Sequence, residues 1–130
     1  MKKKVLVIED QKEIRRVIRR VLTAEDFEVL EAADGQEGLD LAKENPPDLI
    51  VTDIFMPEMD GLEFIRTARK LNAQVRILAI SGGGAMGNMQ MLAIARSLGA
   101  GGVLAKPFGR DELIEAVRQA LAAPIAARPK

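Results

Sequence analysis

The segment "DLIVTDIFMPEMDG", residues 48–61, decides the fold. Leu49, Ile50 and Val51 are consecutive apolar residues, and the run closes on Thr52-Asp53. An unbroken apolar run of this kind predicts a strand buried on both faces, as in a parallel sheet, over Leu49 to Thr52. A carboxylate at the end of such a strand is poorly placed for solubility, so Asp53 needs a reason. Met56-Pro57 and Asp60-Gly61 follow at once, the composition of a tight loop leading into a helix.

The flanking sequence repeats the pattern. Val5 to Ile8 is a second apolar run, ending in Glu9-Asp10. Ile14, Val17, Ile18, Val21 and Leu22 recur at helical spacing, with Arg15, Arg16, Arg19 and Arg20 on the opposite face. Phe27 to Glu31 alternates like a half-exposed strand. Asp34-Gly35 starts a helix that Asn45-Pro46-Pro47 stops. Leu62, Phe64, Ile65 and Ala68 predict a third helix, and Arg76 to Ile80 a fourth strand. Ser81 and a run of glycines lead to a helix over 88–98. Gly102 to Ala105 reads as a short fifth strand, and Lys106-Pro107 leads into a last helix carrying Leu113, Ile114, Val117 and Leu121. Strict β-α alternation with continuous apolar strands implies an α/β fold, a parallel sheet covered by helices on both faces. The expected domain is residues 1–122, with 123–130 a frayed tail.

Composition narrows the chemistry. The 130 residues carry 19 Lys plus Arg and 19 Asp plus Glu, a formal net charge of zero, so no general attraction to nucleic acid or an anionic membrane is expected. There is no cysteine, which removes disulfides and thiolate metal sites, and no histidine, the commonest general base. No apolar run is long enough to span a bilayer or to act as a signal peptide, and a cytoplasmic domain is expected.

In a parallel α/β sheet, ligands bind beyond the carboxyl ends of the strands. Glu9 and Asp10 follow the first strand, Asp53 ends the third, Ser81 follows the fourth and Lys106 the fifth. Each residue has a plain alternative: Glu9-Asp10 as helix capping, Asp53 as a cap or a solvated strand end, Ser81 as a turn residue, Lys106 as a surface lysine. Their coincidence at one edge favours a site. Crowded carboxylates repel unless a divalent cation joins them, and hard oxygen ligands suit Mg²⁺. With an ammonium and a hydroxyl alongside, the set suits an aspartate that attacks a phosphoryl group.

The segments "VLVIED" (5–10), "DLIVTDIFMPEMDGLEFI" (48–65), "ILAISG" (77–82), "GA" (99–100) and "LAKPF" (104–108) resemble the receiver domain of two-component response regulators, over residues 4 to about 122. The resemblance implies a doubly wound (βα)5, flavodoxin-like three-layer sandwich with strand order 2-1-3-4-5. It implies that Asp53 accepts phosphate from a phosphohistidine, that Asp10 binds Mg²⁺ directly and Glu9 through water, and that the Phe55 backbone carbonyl completes the protein's share of the metal shell. Ser81 and Lys106 would hold the phosphoryl group, and the Lys106-Pro107 bond would be cis. The implied partners are a sensor histidine kinase or histidine phosphotransfer protein and a downstream protein, with no nucleic acid or membrane. The implied role is a phosphorelay switch with no enzymatic activity beyond its own phosphorylation and dephosphorylation.

Two departures from the family stand out: Val103 occupies a position that is often aromatic, and the loop after Ser81 is long and glycine-rich. Either a single-domain regulator or a receiver fragment of a multidomain regulator fits the chain. A Mg²⁺-dependent aspartyl phosphohydrolase would need a second acid two residues after its nucleophile, where Phe55 stands. A flavin or nucleotide binder would need a phosphate-cradling loop where Glu9-Asp10 would repel phosphate.

Overall fold

The computed structural model describes residues 2–53, 61–72, 74–81 and 102–122, with backbone only at 61, 62 and 81. In chain order the elements are β1 (Lys4–Ile8), α1 (Lys12–Ala24), β2 (Glu28–Ala32), α2 (Gly35–Glu44), β3 (Leu49–Asp53), α3 (Gly61–Leu71), β4 (Arg76–Ser81), β5 (Gly102–Ala105) and α4 (Arg110–Ala122). The helix expected over 88–98, the glycine run after Ser81, the Phe55 carbonyl and the tail 123–130 lie outside the described residues.

All strand pairs are parallel, in the order β2-β1-β3-β4-β5. This is the doubly wound order that the resemblance implies. Strand period two explains the unbroken apolar runs. Leu6, Ile8, Ile50, Ile77 and Ala79 pack with Leu39 of α2 and Phe64, Ile65 and Ala68 of α3. Their neighbours Val5, Val7, Leu49, Val51, Leu78 and Ile80 pack on the other face, with Ile18 and Leu22 of α1 and Leu113, Val117 and Ala120 of α4. Both faces of the three central strands are therefore sealed, and polar side chains find room only at strand ends.

Local sequence sets the helix ends. Asp34 caps α2, its side chain accepting the Glu37 N–H at 2.8 Å. Gly38 lets α2 press on the sheet: a Cβ there would stand 2.5 Å from Ile8 Cδ1. α1 ends in a Schellman turn, where Phe27 N–H reaches the Leu22 carbonyl and Asp26 N–H the Thr23 carbonyl, with Asp26 at φ 70° in the place usually taken by glycine. Two expectations need correcting. Val17, placed on the buried stripe of α1, is 53% exposed, because the helix rests on the narrower arc of Ile18 and Leu22. The strand expected from Phe27 runs from Glu28 to Ala32, since Phe27 belongs to that turn.

Candidate functional site

The register places the polar residues together. Ile8 pairs with Thr52, so the following Glu9 and Asp53 lie level beyond the edge. Asp53 pairs with Ile80, and Ser81, the last residue of β4, pairs with Ala105, which precedes Lys106. The expected residues Glu9, Asp10, Asp53, Ser81 and Lys106 thus share the C-terminal edge of the sheet. Ser81 is placed by its backbone alone.

Glu9 and Asp53 are buried, while Asp10 is exposed. One carboxylate oxygen from each of the three lies within 4.8 Å of the others. The Lys106 ammonium donates to Asp53 Oδ2 at 2.8 Å and stands 2.7 Å from Glu9 Oε1. The contact to Glu9 is an ion pair without hydrogen-bond alignment, for Oε1 is buried and has no hydrogen-bond partner. The other oxygen, Oε2, accepts the Gln11 N–H at 3.2 Å. Gln11, not Glu9 or Asp10, is the N-cap residue of α1, so capping does not account for the two acids. The Lys106-Pro107 bond is cis.

Burial pushes the Glu9 carboxyl up to about 7, against the opposing pull of Lys106 and the Gln11 N–H; the Asp53 charge adds to the rise. Burial by itself would lower the Lys106 ammonium. Its bond to Asp53 and its ion pair with Glu9 more than offset that and hold it above the ordinary lysine range. Among the described residues one cation, Lys106, faces three acids, an arrangement with more negative than positive charge in a partly desolvated place. The donor set, three carboxylates against the Lys106 ammonium, fits a hard divalent cation.

The sequence reading missed one residue here. Arg15, assigned to the solvent face of α1, is only 17% exposed, and its Nη1 donates to the Glu9 carbonyl at 2.8 Å. Helical side chains lean toward the helix N-terminus, so an arginine in the first turn reaches back over the preceding loop. That lean was available as a signal.

A family model for the response regulator receiver domain matches residues 5–118. Among curated proteins, the chemotaxis protein CheY of Bacillus subtilis is 36% identical over 122 residues, covering 93% of this chain and 99% of that protein. Sporulation initiation phosphotransferase F of Bacillus subtilis is 32% identical over 121 residues, covering 93% and 95% respectively. Among solved structures, a response regulator receiver domain protein from Clostridium thermocellum superposes with a TM-score of 0.84 at 30% identity, covering 92% of this chain and 94% of that one. With the strand order and the edge cluster in agreement, the chain belongs to the response regulator receiver domain family.

Proposed function

We propose that Asp53 is the phosphoacceptor of a phosphorelay switch. The observation that carries this reading is the buried Asp53 carboxylate, bonded to Lys106 and grouped with Glu9 and Asp10. An Asp53 oxygen attacks phosphorus, a P–O bond forms, and the P–N bond to the donor imidazole breaks with its electron pair leaving on nitrogen. Lys106, already within reach of Asp53, pairs with the oxygens of the arriving group. Ser81, at the end of β4, supplies a hydroxyl donor. Glu9, Asp10 and Asp53 would hold Mg²⁺, with the Phe55 carbonyl as a further ligand. The ion would neutralise charge on the transferred group.

The phosphodonor in this reading is a sensor histidine kinase or a histidine phosphotransfer protein, and the receiver of the signal is a downstream protein. The receiver domain takes up residues 1–122 and works in the cytoplasm. Self-phosphorylation and autodephosphorylation are its only chemistry. Among the described residues no helix is long and apolar enough to cross a membrane.

Intact mass after incubation with acetyl phosphate and Mg²⁺ tests the assignment. A single phosphoryl adduct is expected for the wild type and none for Asp53→Asn. An adduct that persists at full level in Asp53→Asn would move the acceptor elsewhere.

A further inference from the structure

We propose that Arg15 is a positioning residue for the acidic site, holding the Glu9-Asp10 segment in a metal-ready conformation, with Glu31 as its anchor. The inference rests on the metal reading given above.

Glu9 and Asp10 sit on the short link between β1 and α1. Glu9 is packed, but Asp10 is exposed, so the direction of its carboxylate follows the backbone that carries it. Among the described residues, three contacts hold that backbone beside the local bond from the Gln11 N–H to Glu9 Oε2 at 3.2 Å. Glu9 N–H donates to the Ala32 carbonyl at 3.1 Å, the Arg15 N–H donates to the Gln11 carbonyl at 3.0 Å, and Arg15 Nη1 donates to the Glu9 carbonyl at 2.8 Å. The last is the only one of the three made by a side chain. It fixes the plane of the peptide joining the two acids.

The guanidinium is itself held. Its Nε donates to Glu31 Oε1 at 3.3 Å, and the other oxygen of Glu31 accepts from Arg19 Nη1 at 2.9 Å. Glu31 lies on the edge strand β2, paired in register with Val7 of β1. A planar fork can hold a carbonyl and a carboxylate at once; an ammonium is a point charge and does not reproduce that geometry. Residues that orient metal ligands from behind typically alter metal affinity 10–100-fold when removed.

The sign of the effect separates positioning from simple charge. Arg15 is a cation near a cation site, so as a mere charge its removal should tighten Mg²⁺. As a positioning group its removal should weaken Mg²⁺. A role confined to fold stability should lower the melting temperature and leave affinity alone.

Mg²⁺ binding followed by NMR titration of the folded chain, with melting temperature alongside, makes the test. The expectation is about tenfold weaker binding for Arg15→Met and a smaller loss in the same direction for Glu31→Gln. Arg15→Lys, which keeps the charge and loses the fork, should remain weakened. Unchanged or tighter binding in Arg15→Met, or full recovery in Arg15→Lys, overturns the proposal. If Arg15→Met does not fold, Glu31→Gln decides by the same criterion. Asp10→Asn is the control for the reading beneath it. Should Asp10→Asn bind Mg²⁺ as the wild type does, the metal reading itself fails; should only the Arg15 and Glu31 variants bind normally, the positioning inference alone fails.

Discussion

Two charge clusters in this fold are inverses of one another. At the sheet edge one cation, Lys106, lies between two carboxylates, Glu9 and Asp53. Where α1 meets α4 one carboxylate, Glu25, lies between two guanidiniums, Arg110 at 3.3 Å and Arg118 at 2.7 Å. The geometry is similar and the surroundings are not. Both arginines are more than half exposed, whereas Glu9 and Asp53 are buried. Water absorbs a surplus positive charge at the surface, and such pairs are worth a few tenths of a kcal/mol each. A surplus negative charge under burial has no such relief. The exposed cluster tethers two helices, and the buried one gathers the acids proposed above to hold a cation.

The largest break in this comparison should come from Lys106→Met. It removes the ammonium that lies between Glu9 and Asp53, and removal of one partner from a buried pair costs about 3 kcal/mol or more. Phosphorylation should fall by roughly two orders of magnitude, as on loss of a charge-stabilising donor. Urea unfolding in EDTA should show the stability loss to be larger at pH 8 than at pH 5, because at pH 5 Glu9 takes up a proton instead. An equal loss at both pH values would mean that Glu9 is not the acid left exposed to repulsion.

The next effect concerns Glu9 in the intact site. Its carboxyl is raised from 4.5 to about 7 in the folded protein. Between those values the folded chain binds more protons at Glu9 than the unfolded one, so the Glu9 contribution to metal-free stability is fully present below 4.5 and is lost as pH rises through about 7. The change is on the order of 3 kcal/mol. Thermal melts in EDTA should show the wild type declining from pH 5 to 8 and Glu9→Gln nearly flat, ending as the more stable of the two. Mg²⁺ should raise the wild-type melting temperature more at pH 8 than at pH 5. A wild type as flat as the variant would contradict the raised Glu9.

The smallest effect belongs to the exposed cluster. Glu25→Gln should cost no more than about 0.5 kcal/mol and leave phosphorylation and Mg²⁺ binding untouched. In 1 M salt, where screening acts within about 3 Å, its cost should vanish while that of Lys106→Met persists. Melting curves of both variants at two salt concentrations check this. A salt-insensitive Glu25 cluster would erase the distinction between the two.

Sequence made the central sheet and the edge cluster legible for one reason. Buried parallel strands must be apolar throughout, so Asp53 and the acids after Ile8 stand out against Leu49–Val51 and Val5–Ile8. Lys106 gained meaning only from the strand before it. The edge strand β2 was harder. Val29 and Leu30 serve opposite faces while each remains partly exposed, so its true start at Glu28 is set by the turn through Asp26 and Phe27. Arg15 and Val17 were misassigned because helical periodicity gives the direction of an apolar stripe but not its width. Val17 falls just outside the arc that meets the sheet, and Arg15 falls beside the loop it grips. Val103, which replaces a frequent aromatic residue, is half-buried against the α2 and α3 side of the core.

The site also spans nearly the whole polypeptide, since Glu9 lies just after the first strand and Lys106 just after the last. On a ribosome the acids emerge early and the lysine late, and β5 must dock on β4 before the ammonium can reach Asp53. A chain stalled or clipped before that point carries Asp53 without Lys106. On the proposed role of Asp53, competence to receive phosphate would be tied to synthesis and folding through Lys106, and products cut short of it should not drain the phosphodonor from finished ones.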